Sequence, residues 1–187
     1  MDERVVDVKP LYEGWSSMSL VGMRLSSGAV VPRHVEHHGL SVGVLPFDPV
    51  RRCATLVRMA RAPVLLAGLE DVVEVPAGKM EGDDPQDTAR QEALEEAGLR
   101  LGALDRVAEF WSMPAISSER ITLYLAEYRD TDRVATGGGL EEEGEEIEVF
   151  EMGLDALWTL VAQGDKVDMK TAVLVYALRQ RRPELFP

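Results

Sequence analysis

The 187-residue chain has a formal net charge of −13, with 45% hydrophobic and 28% charged residues. That balance suits one soluble globular domain with a real core. The acidic surplus argues against sequence-independent binding to nucleic acid or to an anionic membrane. No apolar run approaches the roughly 20 residues needed to cross a bilayer, and the start Met1-Asp2-Glu3-Arg4 lacks the regions of a signal peptide. A lone Cys53 has no internal disulfide partner, so a reducing cytoplasm is the expected compartment.

In chain order, residues 17–25 and 29–34 are β-prone, with Ser26-Ser27-Gly28 between them as a hairpin turn. His34, His37 and His38 flank Glu36, a pattern read as an exposed strand end because no Cys or further His supports a zinc site. Residues 40–47 and 54–59 read as paired strands joined by Asp48-Pro49-Val50-Arg51-Arg52, and 72–75 as a short strand entering Pro76-Ala77-Gly78. Strands follow at 107–111, 121–128 and 147–152. Helices close the chain at 153–162 and 169–181, the last with an apolar stripe of Ala172, Val173, Val175 and Leu178. Gly137-Gly138-Gly139 followed by a glutamate run is the one low-complexity stretch. Intermixed strands and helices suit an α/β/α sandwich around a mixed sheet, preceded by an antiparallel β extension over residues 1–39.

The densest signal lies between residues 77 and 99. Asp84 is a good N-cap, Pro85 fits the first helical position and Gly98 marks the C-terminal stop, so a short helix follows a glycine loop. On that helix Glu92, Glu95 and Glu96 stand at i, i+3 and i+4 and share one face. Like charges so placed repel by about 0.2–0.5 kcal/mol per pair. A cation relieves that repulsion, and hard divalent ions such as magnesium or manganese take oxygen ligands and bring phosphate oxygens with them.

These residues resemble the box of the Nudix hydrolases: Gly, five residues, Glu, seven residues, Arg-Glu, an aliphatic, any residue, Glu-Glu, any residue, Gly, an aliphatic. Glu92-Ala93-Leu94-Glu95-Glu96-Ala97-Gly98-Leu99 matches its second half in full. The first half departs: counted from Gly78 the loop is one residue short, Asp83 takes the glutamate position, and Gln91 stands where the family usually has Arg. Four further segments resemble the nucleoside-diphosphate-sugar pyrophosphatase branch, which includes ADP-ribose and GDP-mannose pyrophosphatases. They are Arg58-Met59-Ala60-Arg61, Glu74-Val75-Pro76-Ala77-Gly78, Pro114-Ala115-Ile116-Ser117-Ser118-Glu119-Arg120, and the acidic loop at 137–147.

The resemblance implies a fold, a reaction and a set of roles. Glu92, Glu95 and Glu96 would hold Mg2+ or Mn2+, with the Ala77 carbonyl as a further ligand and Glu96 also catalytic. Glu143 and Glu145 fall where the branch places its base, Glu145 also as a metal ligand. Arg58, Arg61, Glu74, Gly78 and Glu119 would contact the substrate, Glu119 on its terminal sugar side. Ala115-Ile116 replaces the Gly-Gly usual in the ADP-ribose enzymes, whereas the triple glycine and Asp168-Met169-Lys170-Thr171 look more like the GDP-mannose members, so base and sugar stay open. The expected activity is divalent-metal-dependent cleavage of a nucleoside diphosphate sugar to a nucleoside monophosphate and a sugar phosphate. The alternative is a catalytically silent Nudix-fold nucleotide-binding or regulatory protein, motivated by Gln91 and the short loop. Hydrolysis of capped RNA or dinucleoside polyphosphates fits the acidic charge poorly. Residues 1–39 would build a homodimer, covering apolar positions such as Leu20, Val21, Val30 and Val31, and residues 40–187 would form the Nudix domain.

Overall fold

The computed structural model describes residues 2–80, 82–140, 144, 146–164 and 166–186. By contact density the chain divides into two units, Met1–Ser41 with Glu109–Ile121, and Val42–Ala108 with Thr122–Pro187. The first unit therefore takes in a later segment as well as the N-terminal strands.

In that unit β1 (Val5–Glu13), β2 (Ser17–Arg24) and β3 (Val30–His37) form an antiparallel sheet in the order β1-β2-β3. Gly28, at φ 86°, turns β2 into β3, and Leu25 N donates to Ala29 O at 2.8 Å across that turn. Leu20 pairs with His34 and Met23 with Val31. The strand at 5–13 was not among those read from sequence, because Pro10 interrupts it. Pro10 sits on the edge strand beside a register irregularity between Pro10 and Tyr12, where a missing N–H is tolerated. The end of β3 is stitched to the later segment: Glu36 N donates to Ile116 O at 2.7 Å and Ser118 N to Glu36 O at 2.9 Å.

Among the described residues a second sheet has seven strands: β4 (Leu40–Asp48), β5 (Cys53–Arg58), β6 (Val73–Glu74), β7 (Ala77–Lys79), β8 (Asp105–Trp111), β9 (Arg120–Glu127) and β10 (Glu148–Gly153). Its main order is β10-β5-β4-β9-β8, with β6 on β5 and β7 on β4. The β4–β5 hairpin is set by Asp48, whose carboxylate accepts from Val50 N at 2.8 Å and Arg51 N at 2.9 Å. Gly39 O accepts from Arg120 N and Phe47 O from Tyr128 N, the same order along both strands, so β4 and β9 run parallel, whereas β5 pairs antiparallel with β4, β6 and β10. The sheet is mixed, as the sequence implied.

Helices cover both faces, which is why β4 is buried from Ser41 to Asp48 instead of alternating. Val42 and Val44 pack with Ala89, Ala93 and Ala97 of α2 (Pro85–Ala97); the α1 helix (Ala62–Leu66) precedes it. On the other face Gly43 leaves room for Lys170 Cδ, 3.6 Å from where its Cβ would lie. Lys170 belongs to α4 (Met169–Arg181), which packs against α3 (Leu154–Gln163) through Trp158 and Tyr176, ring centroids 5.0 Å apart. Leu154, Leu157, Leu174 and Leu178 are buried there, each contributing about 1.5–3 kcal/mol. The buried face of α4 is Thr171, Leu174, Val175 and Leu178, turned from the expected stripe because Thr171 Oγ1 accepts from Val75 N at 2.8 Å and so draws Thr171 inward. The α1 helix went unread because it has five residues, begins at a proline-containing turn and buries nothing.

Candidate active site

Helix α2 forms where its punctuation says it should. Asp84 Oδ1 accepts from Gln86 N at 2.8 Å, Pro85 occupies the first turn, and Gly98 closes the helix at φ 69°. Ala89, Ala93 and Ala97, fully buried at every fourth position, let the helix backbone approach the sheet closely. That approach brings its acidic face to β7.

The three carboxylates have different neighbours. Glu96, only 3% exposed, accepts from Ala77 N at 2.9 Å. Glu92 lies so close to Gly78 that a Cβ there would overlap its carboxylate, so glycine is the residue that lets Glu92 reach this position. Glu95 Oε1 accepts from Gln91 Nε2 at 3.0 Å. Gln91 therefore supplies a donor where the box has arginine, and orients a glutamate without adding charge.

Glu92 and Glu96, one helical turn apart, thus lie against the consecutive β7 residues Gly78 and Ala77. This is a hard oxygen donor set, suited to magnesium or manganese rather than to a soft metal. Among the described residues no three His, Cys, Asp or Glu side chains already converge on one point.

Beside it lies a dense ionic network. Arg61 grips Glu74 bidentately, Nε to Oε1 at 2.8 Å and Nη2 to Oε2 at 3.0 Å. Lys170 bonds the same carboxylate and also Asp168 Oδ2 at 2.6 Å, while Asp168 caps α4 by accepting from Thr171 N at 3.1 Å. Glu74 is 4% exposed. Burial alone would raise its pKa, but Arg61 and Lys170 outweigh that and hold it below the ordinary carboxylate value. Lys170 shows the mirror case: burial opposes its charge, Asp168 and Glu74 outweigh it, and its pKa is raised. Arg61 also feels Glu96, which ties the network electrostatically to α2. Sequence reading used Asp168 and Lys170 only as part of a resembling segment; a lysine amid the apolar run of α4 was the signal for a buried partner.

The sequence profile of the NUDIX domain matches residues 37–172. This chain belongs to the Nudix family. It is 36% identical over 151 residues to a GDP-mannose pyrophosphatase of Cronobacter sakazakii, covering 80% of this chain and 78% of the relative. A GDP-mannose pyrophosphatase of Klebsiella pneumoniae is 30% identical over 181 residues, 94% and 90% of the two chains. A solved structure described as an ADP compounds hydrolase superposes with a TM-score of 0.75 over 96% of this chain and 94% of that one. At 15% identity it speaks for the Nudix fold alone.

Arg58, Glu119, Glu143 and Glu145 complete the set singled out from the Nudix pattern. Arg58 pairs with Glu148 at 2.9 Å and stacks over Phe150, 4.9 Å from the ring centroid. In the first unit Glu119 accepts from Ser41 Oγ at 2.6 Å and lies 3.6 Å from His38 Nε2, and His38 Nδ1 is 3.2 Å from Glu36. Glu143 and Glu145 lie outside the described residues. A further cluster went unread: Glu151 binds Arg51 at 2.7 Å, Arg133 at 3.1 Å and the Tyr128 hydroxyl at 2.8 Å beside a cleft of about 370 Å³. Its members lie on β10, in the β4–β5 turn, just past β9 and in the loop that follows residue 132, so no local pattern announces it.

Proposed function

We propose that this Nudix chain hydrolyses the pyrophosphate bond of a nucleoside diphosphate sugar of the GDP-mannose or ADP-ribose type, with Mg2+ or Mn2+, giving a nucleoside monophosphate and a sugar phosphate. The observation that carries this reading is the docking of Glu92 and Glu96 on consecutive β7 residues, Gly78 and Ala77. The GDP-mannose pyrophosphatase relatives at 30–36% identity support the substrate class.

Glu92, Glu95, Glu96 and the Ala77 carbonyl are the ligands in this proposal. A divalent ion held there would supply charge neutralisation for the phosphates and activation of water. The chain's own residues do the rest. Gly78 gives the backbone close access, and Gln91 fixes Glu95. Arg61, held rigid by Glu74, presents its cationic edge to the diphosphate. Glu143 or Glu145 takes the proton of the attacking water as the P–O–P bond opens. Arg58 and Glu119 contact the distal parts of the substrate. The case for a silent binding protein rested on the absent box arginine and the short loop, and the Gln91–Glu95 bond answers the first of these.

The N-terminal strands expose Val6, Val8, Leu11 and Tyr12, and this supports a homodimer built on residues 1–39 with residues 40–187 as the catalytic domain, which sedimentation velocity checks. No described helix is long and apolar enough to cross a membrane. A cytoplasmic enzyme acting on small nucleotides rather than on nucleic acid accords with the net charge of −13. Product analysis by anion-exchange chromatography, over a panel of nucleotide sugars with Mg2+, tests the activity. Monophosphate and sugar phosphate from at least one member is the expected result, and intact substrate throughout would refute it.

A further inference from the structure

The C-terminal turn of α2 is covered in an unusual way. Helices end with carbonyls that have no partner within the helix. Here the segment after residue 132 supplies them: Gly139 N donates to Glu95 O at 3.2 Å, Gly138 N to Glu96 O at 2.9 Å, Arg133 Nη1 to Ala97 O at 3.0 Å, and Val134 N to Gly98 O at 2.9 Å. Gly137, Gly138 and Gly139 all have left-handed φ, at 71°, 116° and 79°. A Cβ on Gly137 would overlap Glu96 O, and one on Gly98 would overlap Ala135 O, so the two stretches of backbone interlock through glycine alone. Glu96 is therefore fixed at two ends, its carbonyl by Gly138 N and its carboxylate by Ala77 N.

We propose that Gly137 and Gly138 are positioning residues for the carboxylates of α2. They form a strap that holds the last helical turn, and with it Glu95 and Glu96, in the geometry that binds a divalent ion. The inference deepens the proposed function and rests on its assignment of Glu96 as a ligand. It predicts that straining the strap weakens metal binding even though no ligand atom is altered, as happens when groups that orient ligands are lost.

The test is a titration of the full-length protein with Mn2+, free ion being read by electron paramagnetic resonance, alongside a thermal melt. Gly137→Ala drives a methyl into Glu96 O. Gly138→Ala strains the backbone, its Cβ meeting among the described residues only Ile147 O at 3.9 Å, and carries the test if Gly137→Ala does not fold. Gly164→Ala is the control: φ is 78°, no atom of the described residues lies within 4 Å of its Cβ, and it caps α3 rather than α2. The strap variants should bind Mn2+ about tenfold or more weakly, and Gly164→Ala like the wild type. Wild-type affinity in a folded strap variant, or equal weakening by Gly164→Ala, overturns the strap. Glu96→Gln separates the two ideas. If it too binds Mn2+ normally, the ligand assignment fails and takes the strap with it; if it alone is weakened, only the strap fails.

Discussion

Glu74 and Glu151 meet arginine and lysine directly, whereas the donors seen at Glu95 and Glu96 are amides, Gln91 Nε2 and Ala77 N. The two arrangements do different work. A carboxylate gripped by Arg61 and Lys170, or by Arg51 and Arg133, is neutralised and serves as a joint between elements. An amide donor orients a carboxylate without cancelling its charge. On α2 three glutamates stand within five residues, and in the proposed function a bound cation would relieve their repulsion. Paired acid builds the scaffold; oriented acid is the part that the proposed function assigns to the metal.

The largest expected effect probes the paired side. Lys170→Met removes a cation from a carboxylate that is 4% exposed, and breaking such a buried pair should cost about 3–5 kcal/mol in urea denaturation. A loss under about 1 kcal/mol would mean that the network behaves like a surface ion pair and the comparison collapses. The same network sets an acid limit. Glu74 and Glu151 titrate below their ordinary value of 4.5 in the folded state, Glu151 chiefly through Arg51. Their contribution is therefore present above that value and lost as pH falls through the lowered one. Glu74→Gln should flatten this part of the stability profile.

Next in size, Glu96→Gln keeps volume but removes a ligand charge, so kcat should fall about 10²-fold with the melting temperature retained. Normal turnover in the folded variant would remove Glu96 from the site. Gly78→Ala, which intrudes on the Glu92 carboxylate, should cost roughly tenfold in kcat. The smallest change is expected from Gln91→Arg, which restores the box pattern and can fork onto Glu95; activity should hold or rise in a steady-state assay, and a collapse would show that Gln91 is fitted to its surroundings in some other way.

How far the sequence reached depended on whether the signal was local. The start, stop and acidic face of α2 were legible because capping and helical spacing act within a few residues. The β4–β5 hairpin was legible through the turn chemistry of Asp48. β1 was hidden by Pro10, and α1 by its brevity. Lys170 lies far along the chain from Glu74, and the Arg51–Glu151–Tyr128 cluster draws on three separated strands or turns, so neither leaves a pattern in one window. The triple glycine was visible as low complexity. Its need for glycine appears only when Gly137 is seen against Glu96.

The central claim is that the α2 glutamates hold a divalent ion that drives pyrophosphate cleavage. Phosphorus-31 NMR of the best nucleotide sugar, with protein stripped by a chelator and then given back Mg2+ or Mn2+, tests it most directly. No turnover in the stripped protein, restored cleavage to two phosphomonoester signals on addition of metal, and an intact fold throughout are the predicted results. Full turnover by the stripped protein, or an unchanged diphosphate signal after metal is restored, would contradict the account.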